Sequence, residues 1–243
     1  MKQSIFEIQS NECIAKNVYK MLLSGDTESI RCGQFVNIKL DGCFLRRPIS
    51  VCDAEDGKLT LIYKVVGSGT EIMSGMQKGE KLDLLTLLGN GYDTSVSGDC
   101  PVLLGGGVGV PPLYMLAKKL TEEKKKVSVV LGFNTAQEVF CEDEFKKLGC
   151  DVTVTTVDGS CGKKGFVTDA LPEKYSYFYT CGPEAMLKAV YKATNTSGQM
   201  SFEERMGCGF GACMGCSCET LTGFKRICKD GPVMKKEEIL WKD

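Results

Sequence analysis

"PVLLGGGVGVPPLYMLAKKL", Pro101 to Leu120, marks a change of grammar in the chain. A short, wholly apolar run ends in glycines, and apolar side chains then recur at helical spacing from Leu113 through Leu116 and Ala117 to Leu120. The pattern predicts a buried strand, a tight turn and a helix, with proline tolerated in the first helical turn because its missing N–H would be unbonded there. Gly105, Gly106, Gly107 and Gly109 have the placement of a dinucleotide loop. The strict G-x-G-x-x-G fingerprint is only half met: Val110 takes the last glycine position, and no clear acidic ribose ligand follows about 20 residues later.

Downstream, "KVSVVLGF" (Lys126–Phe133), "DVTVTTV" (Asp151–Val157) and "YSYFYT" (Tyr175–Thr180) read as buried strands. Helical stretches, "CEDEFKKLG" and "PEAMLKAVYKAT", lie between or after them. Strands alternating with helices predict a doubly wound parallel sheet over residues 98–198. "YTCGPEAML" sets Cys181, Gly182 and Pro183 between a strand and a helix, where the carboxyl edge of such a sheet offers a small side chain and free backbone to a nicotinamide ring. Taken alone, Cys181 reads more simply as a buried spacer.

Upstream, residues 1–97 are short strands broken by turns. "GQFVNIKL", "PISVCD" and "KLTLIYKVV" alternate or run apolar around Asp41–Gly42 and Asp56–Gly57, which predicts a small antiparallel β-barrel. Within it, "RRPIS" offers Arg47 to fork onto a phosphate and Ser50 to donate to a flavin ring nitrogen, although a proline-bearing strand edge explains the stretch equally well. "IYKVVGSGT" frees the backbone at Gly67 and Gly69 and opens a helix at Thr70, whose amino terminus suits a pyrophosphate. Ser68 and Glu71 would form an ordinary capping box at the same place.

Composition narrows the chemistry. The 243 residues carry net charge −1, and "EEKKK" reads as a solvated helix end, so nucleic acid is not an expected partner. No apolar run has the length of a membrane span or a signal-peptide core, so a cytoplasmic protein off the membrane is expected. There are 14 cysteines and no histidine. That excludes a histidine-based triad, histidine-ligated zinc and a Rieske centre, and in a reducing compartment it favours metal or redox roles for clustered thiols.

The cluster is "EERMGCGFGACMGCSCETLTGFKRICKDGP", residues 203–232. Cys208, Cys213 and Cys216 stand as C-x4-C-x2-C with Cys228 farther along, the plant-type spacing for a 2Fe–2S cluster. Gly207, Gly209, Gly211 and Gly215 let backbone N–H groups turn toward sulfur. Tetrahedral zinc would ask for two compact knuckles, and only Cys213–Cys216 makes one. Cys218 adjoins the loop and leaves the fourth ligand less fixed than the first three; the distant Cys228 suits the spacing better. The other cysteines read as small buried hydrophobes.

These motifs, in this order, resemble the ferredoxin–NAD(P) reductase superfamily. "RRPIS", "LGGGVGVPPLY", "FYTCGPEAMLKAV" and "RMGCGFGACMGCSC…ICKDGPV" are most similar to the electron-transfer subunits of NAD-dependent, type B dihydroorotate dehydrogenases. The resemblance covers nearly the whole chain and implies an FAD barrel (1–97), an NAD-binding α/β unit (98–198) and a small carboxyl-terminal 2Fe–2S unit (199–243), multi-domain α+β and α/β overall. It implies flavin contacts at Arg47, Pro48, Ile49, Ser50, Ile62, Tyr63, Lys64, Gly69 and Thr70, and cluster ligands Cys208, Cys213, Cys216 and Cys228. It further implies an FMN-containing catalytic partner in a two-plus-two heterotetramer, with electrons from dihydroorotate passing through the cluster and FAD to NAD⁺ in pyrimidine biosynthesis. Ile49 departs from the wider superfamily, where an aromatic residue often stacks on the flavin. A reductase subunit of a sulfide dehydrogenase, hydrogenase or bifurcating ferredoxin–NAD(P) oxidoreductase is the nearest alternative. Some relatives of that sort carry an aspartate before the cluster cysteines, whereas here Glu203 and Glu204 stand there. A zinc-binding interaction module is a more distant one.

Overall fold

Period-two burial builds the first half. In β6 (Lys81–Leu88) every second side chain is buried, and β1 (Lys2–Ala15), β2 (Val18–Ser24), β3 (Phe35–Lys39), β4 (Arg47–Glu55) and β5 (Lys58–Lys64) supply the remaining walls. The strands close in the order β1-β2-β5-β4-β3-β6. Phe6, Met21, Leu23, Ile38, Leu59 and Leu61 fill the interior without exposure, each such side chain stabilising the fold by about 1.5–3 kcal/mol. At the β4–β5 turn, Asp56 and Gly57 have φ of 49° and 73°, the left-handed pair that a two-residue hairpin requires. The computed structural model describes residues 1–241; Lys242 and Asp243, the end of the expected third unit, lie outside the described residues.

The helix after β5, α1 (Ser68–Gly75), starts earlier than the sequence suggests, and its cap differs. Gly67 is the cap residue. Thr70 Oγ1 accepts the N–H groups of Val66 and Gly67 at 2.9 and 3.2 Å, so Thr70, rather than Ser68 with Glu71, closes the first turn.

The second half is a seven-stranded sheet in the order β10-β9-β8-β7-β11-β12-β15. Its parallel strands are β7 (Val102–Gly106), β8 (Ser128–Phe133), β9 (Asp151–Thr156), β10 (Lys163–Lys164), β11 (Phe178–Cys181) and β12 (Gly198–Ser201). Helices α2 (Pro111–Glu122), α3 (Glu142–Lys147) and α4 (Glu184–Ala193) connect them. The strand expected from Tyr175 begins only at Phe178. The expected border between residues 198 and 199 falls inside β12, and the cysteine-rich tail is not detached from the sheet. After the hairpin β13 (Ser217–Thr220) and β14 (Gly223–Arg226), β15 (Val233–Lys235) returns antiparallel to β12 as the sheet's edge.

Barrel and sheet share one core. Val18, Cys32, Cys52 and Ile62 from the barrel pack with Leu113, Leu116 and Phe140. Lys118 on α2 reaches Asp53 at 3.6 Å and Glu55 at 2.5 Å on β4.

Candidate functional site

The carboxyl ends of β7 and β11 lie side by side, with Gly105 opposite Cys181. This joins the glycine loop to the Cys181–Pro183 turn. A Cβ on Gly109 would stand 2.3 Å from the Cys181 carbonyl oxygen, and one on Gly106 would stand 2.4 Å from Met186 Sδ. Gly105 is likewise closed in by Val110 and Leu113. Three of the four glycines are thus used by protein packing, and only Gly107 faces open space. Helix α2 begins with two prolines, which remove two of its orphan N–H groups, and the Leu113 N–H is already bonded to Val110 O at 3.1 Å. The helix terminus is therefore a weaker anion site than a strict dinucleotide fingerprint gives. Burial pushes the Cys181 thiol up to about 12, against a weaker opposing pull from Ser201. It sits at this edge as a neutral, small, polarisable group rather than a nucleophile.

The barrel presents a second opening. The β4–β5 ladder runs from Val51–Leu61 to Glu55–Lys58 and no farther. Beyond it Pro48, Ile49 and Ser50 pair only with β3, while Ile62, Tyr63 and Lys64 pair only with β2. The two segments singled out in the sequence line opposite sides of this splayed gap, and backbone groups facing it need partners. Side chains divide differently from expectation. Tyr63 turns into the barrel, where its hydroxyl donates to Asn11 Oδ1 at 3.0 Å, and Ile62 is buried in the shared core. From Tyr63 only main chain is left for the gap. Lys64 Nζ pairs with Glu138 at 3.1 Å, across to the sheet unit.

The two arginines also part company. Arg46 forks onto Asp83, with Nη1 and Nη2 at 3.1 and 3.0 Å from the carboxylate oxygens. Arg47 lies over the first turn of α1: a Cβ on Gly69 would meet its Nε at 2.1 Å. A Cβ on Gly67 would meet nothing within 4 Å. A guanidinium beside an open helix start is an arrangement that takes a diphosphate.

In the tail, backbone N–H groups point at sulfur. Cys208 Sγ accepts from Ala212 at 3.2 Å and from Cys213 at 3.5 Å. Gly215 donates to Cys213 Sγ at 3.5 Å and Cys228 to Cys216 Sγ at 3.4 Å. Left-handed backbone at Gly209, Gly211 and Met214 makes these turns possible. Cys213 lies beside Cys208 and Cys216 beside Cys228, and Cys208 is also near enough to Cys228 to bear on its ionisation. Cys218 lies on β13 opposite Lys225, near Glu204 and Cys216. Burial works against ionisation of Cys208, yet the N–H groups of Cys213, Phe210 and Ala212 outweigh it and bring the thiol down to about 6. Burial, then the neighbouring Cys216, pushes Cys228 up to about 12. A cationic metal among these sulfurs would offset the charge of their ionised forms. Among the described residues, no three His, Cys, Asp or Glu side chains converge as a single-ion site. Four cysteines with backbone N–H groups directed at their sulfurs suit a 2Fe–2S cluster better than one tetrahedral zinc.

Sequence reading missed the residues that tie these regions together. Asn90 exchanges hydrogen bonds with the tail through Val233 N–H at 3.1 Å and Val233 O at 2.6 Å, Asn37 bonds the cluster loop, and Glu138 meets Lys64. Their partners lie 74 to 171 residues away, so no local spacing marks them.

Residues 203–240 match the family model described as the iron-sulfur cluster binding domain of dihydroorotate dehydrogenase B, and residues 103–192 match that of an oxidoreductase NAD-binding domain. The chain is 42% identical over 257 residues to the dihydroorotate dehydrogenase B (NAD(+)) electron transfer subunit of Fusobacterium nucleatum, covering 98% of this chain and 99% of the relative. It is 44% identical over 255 residues to the protein of the same name from Bacillus pumilus, covering 98% of each. Among solved structures it resembles a chain of the NADH-dependent reduced ferredoxin-NADP oxidoreductase, described for flavin-based electron bifurcation, with TM-score 0.88, 32% identity and coverage of 97% and 90%. A cytochrome P450 reductase from Amycolatopsis shares the fold alone, at TM-score 0.70 and 22% identity, covering 79% of this chain and 65% of that one. No helix among the described residues is long and apolar enough to cross a membrane.

Proposed function

The chain belongs to the dihydroorotate dehydrogenase B (NAD(+)) electron transfer subunits, and from that premise we propose that it accepts electrons from an FMN-containing dihydroorotate-oxidising partner and delivers them to NAD⁺ through a 2Fe–2S cluster and FAD. Bound FAD supplies the exchange between the single electrons a cluster passes and the hydride a nicotinamide takes. The residues divide the remaining work. Arg47 and the start of α1 at Gly69 and Thr70 hold the diphosphate. Pro48, Ile49 and Ser50 on one side, and Ile62, Tyr63 and Lys64 on the other, receive the ring in the splayed gap. Gly107, with Cys181, Gly182 and Pro183, forms the open edge for the nicotinamide, while Gly105, Gly106 and Gly109 let the loop and turn approach. Cys208, Cys213, Cys216 and Cys228 would hold the cluster.

The observation that carries this reading is the set of backbone N–H groups directed at the sulfurs of Cys208, Cys213 and Cys216, one of them donated by Cys228. A two-plus-two heterotetramer in the cytoplasm completes the proposal. The similarity to the bifurcating oxidoreductase chain favours a second reading, in which the same centres serve a ferredoxin-linked partner. Affinity purification of the tagged chain from its own cells, followed by assay of the complex, separates the two. The proposal expects a co-purifying flavoprotein and NAD⁺ reduction on adding dihydroorotate. A complex that ignores dihydroorotate and exchanges electrons with ferredoxin would establish the second reading.

A further inference from the structure

We propose that Asn37 is a positioning residue for electron exchange between flavin and cluster: its side-chain amide fixes the Cys208 peptide from the barrel wall. The inference rests on the cofactor assignment above and adds to it the element that registers one centre against the other.

Asn37 lies on β3 and is 1% exposed. On one side it stands opposite Pro48, in the strand that lines the flavin gap, and on the other opposite Leu85 of β6. The β3–β6 ladder is irregular here, passing from Phe35–Leu88 to Asn37–Leu85, and Leu87 takes a φ of 58°. Such a bulge re-aims side chains at a barrel rim. Beside it, Phe35 and Leu88 share a core with Cys216, Ile227 and Cys228, so this end of the barrel is where the cysteine segment docks.

The Asn37 Nδ2 group donates to Cys208 O at 3.2 Å. A Cβ on Gly209 would come within 2.4 Å of that nitrogen. Gly209 is also left-handed, with φ of 79°, so glycine at this position is what permits the amide to approach. The peptide so held carries the sulfur that accepts the Ala212 and Cys213 N–H groups. One side chain thereby connects β3, neighbour of the flavin strand, to the first iron ligand.

A packing role does not account for the residue. Asn37 Oδ1 is buried without a hydrogen-bond partner, and an orphaned buried acceptor is costly in a strand where asparagine is already disfavoured. Rotating the amide would set Oδ1 against the Cys208 carbonyl, acceptor to acceptor, so the donor must face the cluster loop. An apolar residue would fill the site without that cost. It would also release the Cys208 peptide, and hydrogen bonding around the sulfurs is one of the terms that sets a cluster's potential.

The test uses the full chain with its cofactors and two variants of similar volume, Asn37→Asp, which replaces the donor by an acceptor, and Asn37→Leu. Stopped-flow mixing with NADH under anaerobic conditions follows flavin and cluster separately. The reduced cluster's electron paramagnetic resonance spectrum and midpoint potential are recorded, and hydrogen–deuterium exchange of residues 207–213 is measured on iron-free protein. In both variants we expect the flavin-to-cluster rate to fall about tenfold relative to the NADH-to-flavin rate. The g-values and potential should move, and exchange in residues 207–213 should quicken. If a variant loses the cluster, the exchange measurement decides: faster exchange supports the role and unchanged exchange overturns it. Variants with wild-type spectrum, potential and rate ratio would likewise overturn it. A wild-type chain that binds FAD but no iron would instead refute the cofactor assignment.

Discussion

Arg46 and Arg47 are adjacent and chemically identical, yet the fold gives them different surroundings. Arg46 is committed to Asp83 in a two-pronged ion pair, each side chain about one-fifth exposed. Arg47 remains at the start of α1, able to meet a diphosphate. The motif "RRPIS" offers Arg47 for the phosphate proposed above, and what takes Arg46 out of that role is strand pairing: Asp83 is brought opposite by β6, far along the chain. For Asp83, burial favours the neutral acid, but hydrogen bonds from Arg46 and Gln3 outweigh it and hold the carboxyl below its usual range. The folded chain therefore binds that proton less readily than the unfolded one. The pair adds stability above the ordinary carboxylate range and loses it as pH falls through the lowered folded value. We expect Asp83→Asn to cost about 1–3 kcal/mol at neutral pH in urea unfolding, from loss of charge-assisted hydrogen bonds. The gap to wild type should narrow below about pH 4. A gap independent of pH would show that the carboxylate's charge contributes nothing.

The strand–glycine–helix unit around Pro101–Leu120 was legible because its signals are local: an apolar run, clustered glycines and helical periodicity map directly onto β7 and α2. What sequence could not give was the use of each glycine, since Gly106 and Gly109 are small on account of Met186 and Cys181, which arrive with β11 and α4. Nor could it reveal β15, whose three residues become a strand only because β12 offers an edge. The segments after β8 and β9 bear on cofactor choice. Asp158 N–H bonds Asn134 O at 3.3 Å, which brings the two segments together, and Glu138 accepts the Asn134 side chain at 2.9 Å. Ser160 holds the Asp158 carboxyl below its usual range through its hydroxyl and its backbone N–H. Glu138 is already paired with Lys64, which leaves the Asp158 carboxylate to disfavour a 2′-phosphate, and "NTAQEVF" supplies no arginine or lysine to welcome one. Steady-state reduction of an artificial acceptor should give a lower KM for NADH than for NADPH; the reverse order would contradict this assignment.

Barrel, sheet and cysteine tail are joined by more than chain connectivity. Lys118 and Lys64 cross from one half to the other, a shared core lies beneath them, and Asn90 and Asn37 fasten the tail to the barrel side. Spacing alone separated the chain into three grammars. The joints between them escaped it, because a single asparagine facing a distant carbonyl leaves no pattern in a linear sequence. The proposed cluster ligands are the opposite case: the C-x4-C-x2-C spacing singles out Cys208, Cys213 and Cys216 locally, and the fold sets the Cys228 N–H against Cys216 Sγ at 3.4 Å while Cys218 also lies near Cys216. Everything proposed for electron flow depends on that quartet. The most direct test is iron, acid-labile sulfide and flavin analysis of anaerobically purified chain, with Cys213→Ala in parallel. The account predicts about two irons and two sulfides with one FAD per wild-type chain, and a variant that keeps FAD while losing the cluster's absorption. Zinc without sulfide in the wild type, or an intact cluster spectrum in Cys213→Ala, would contradict it.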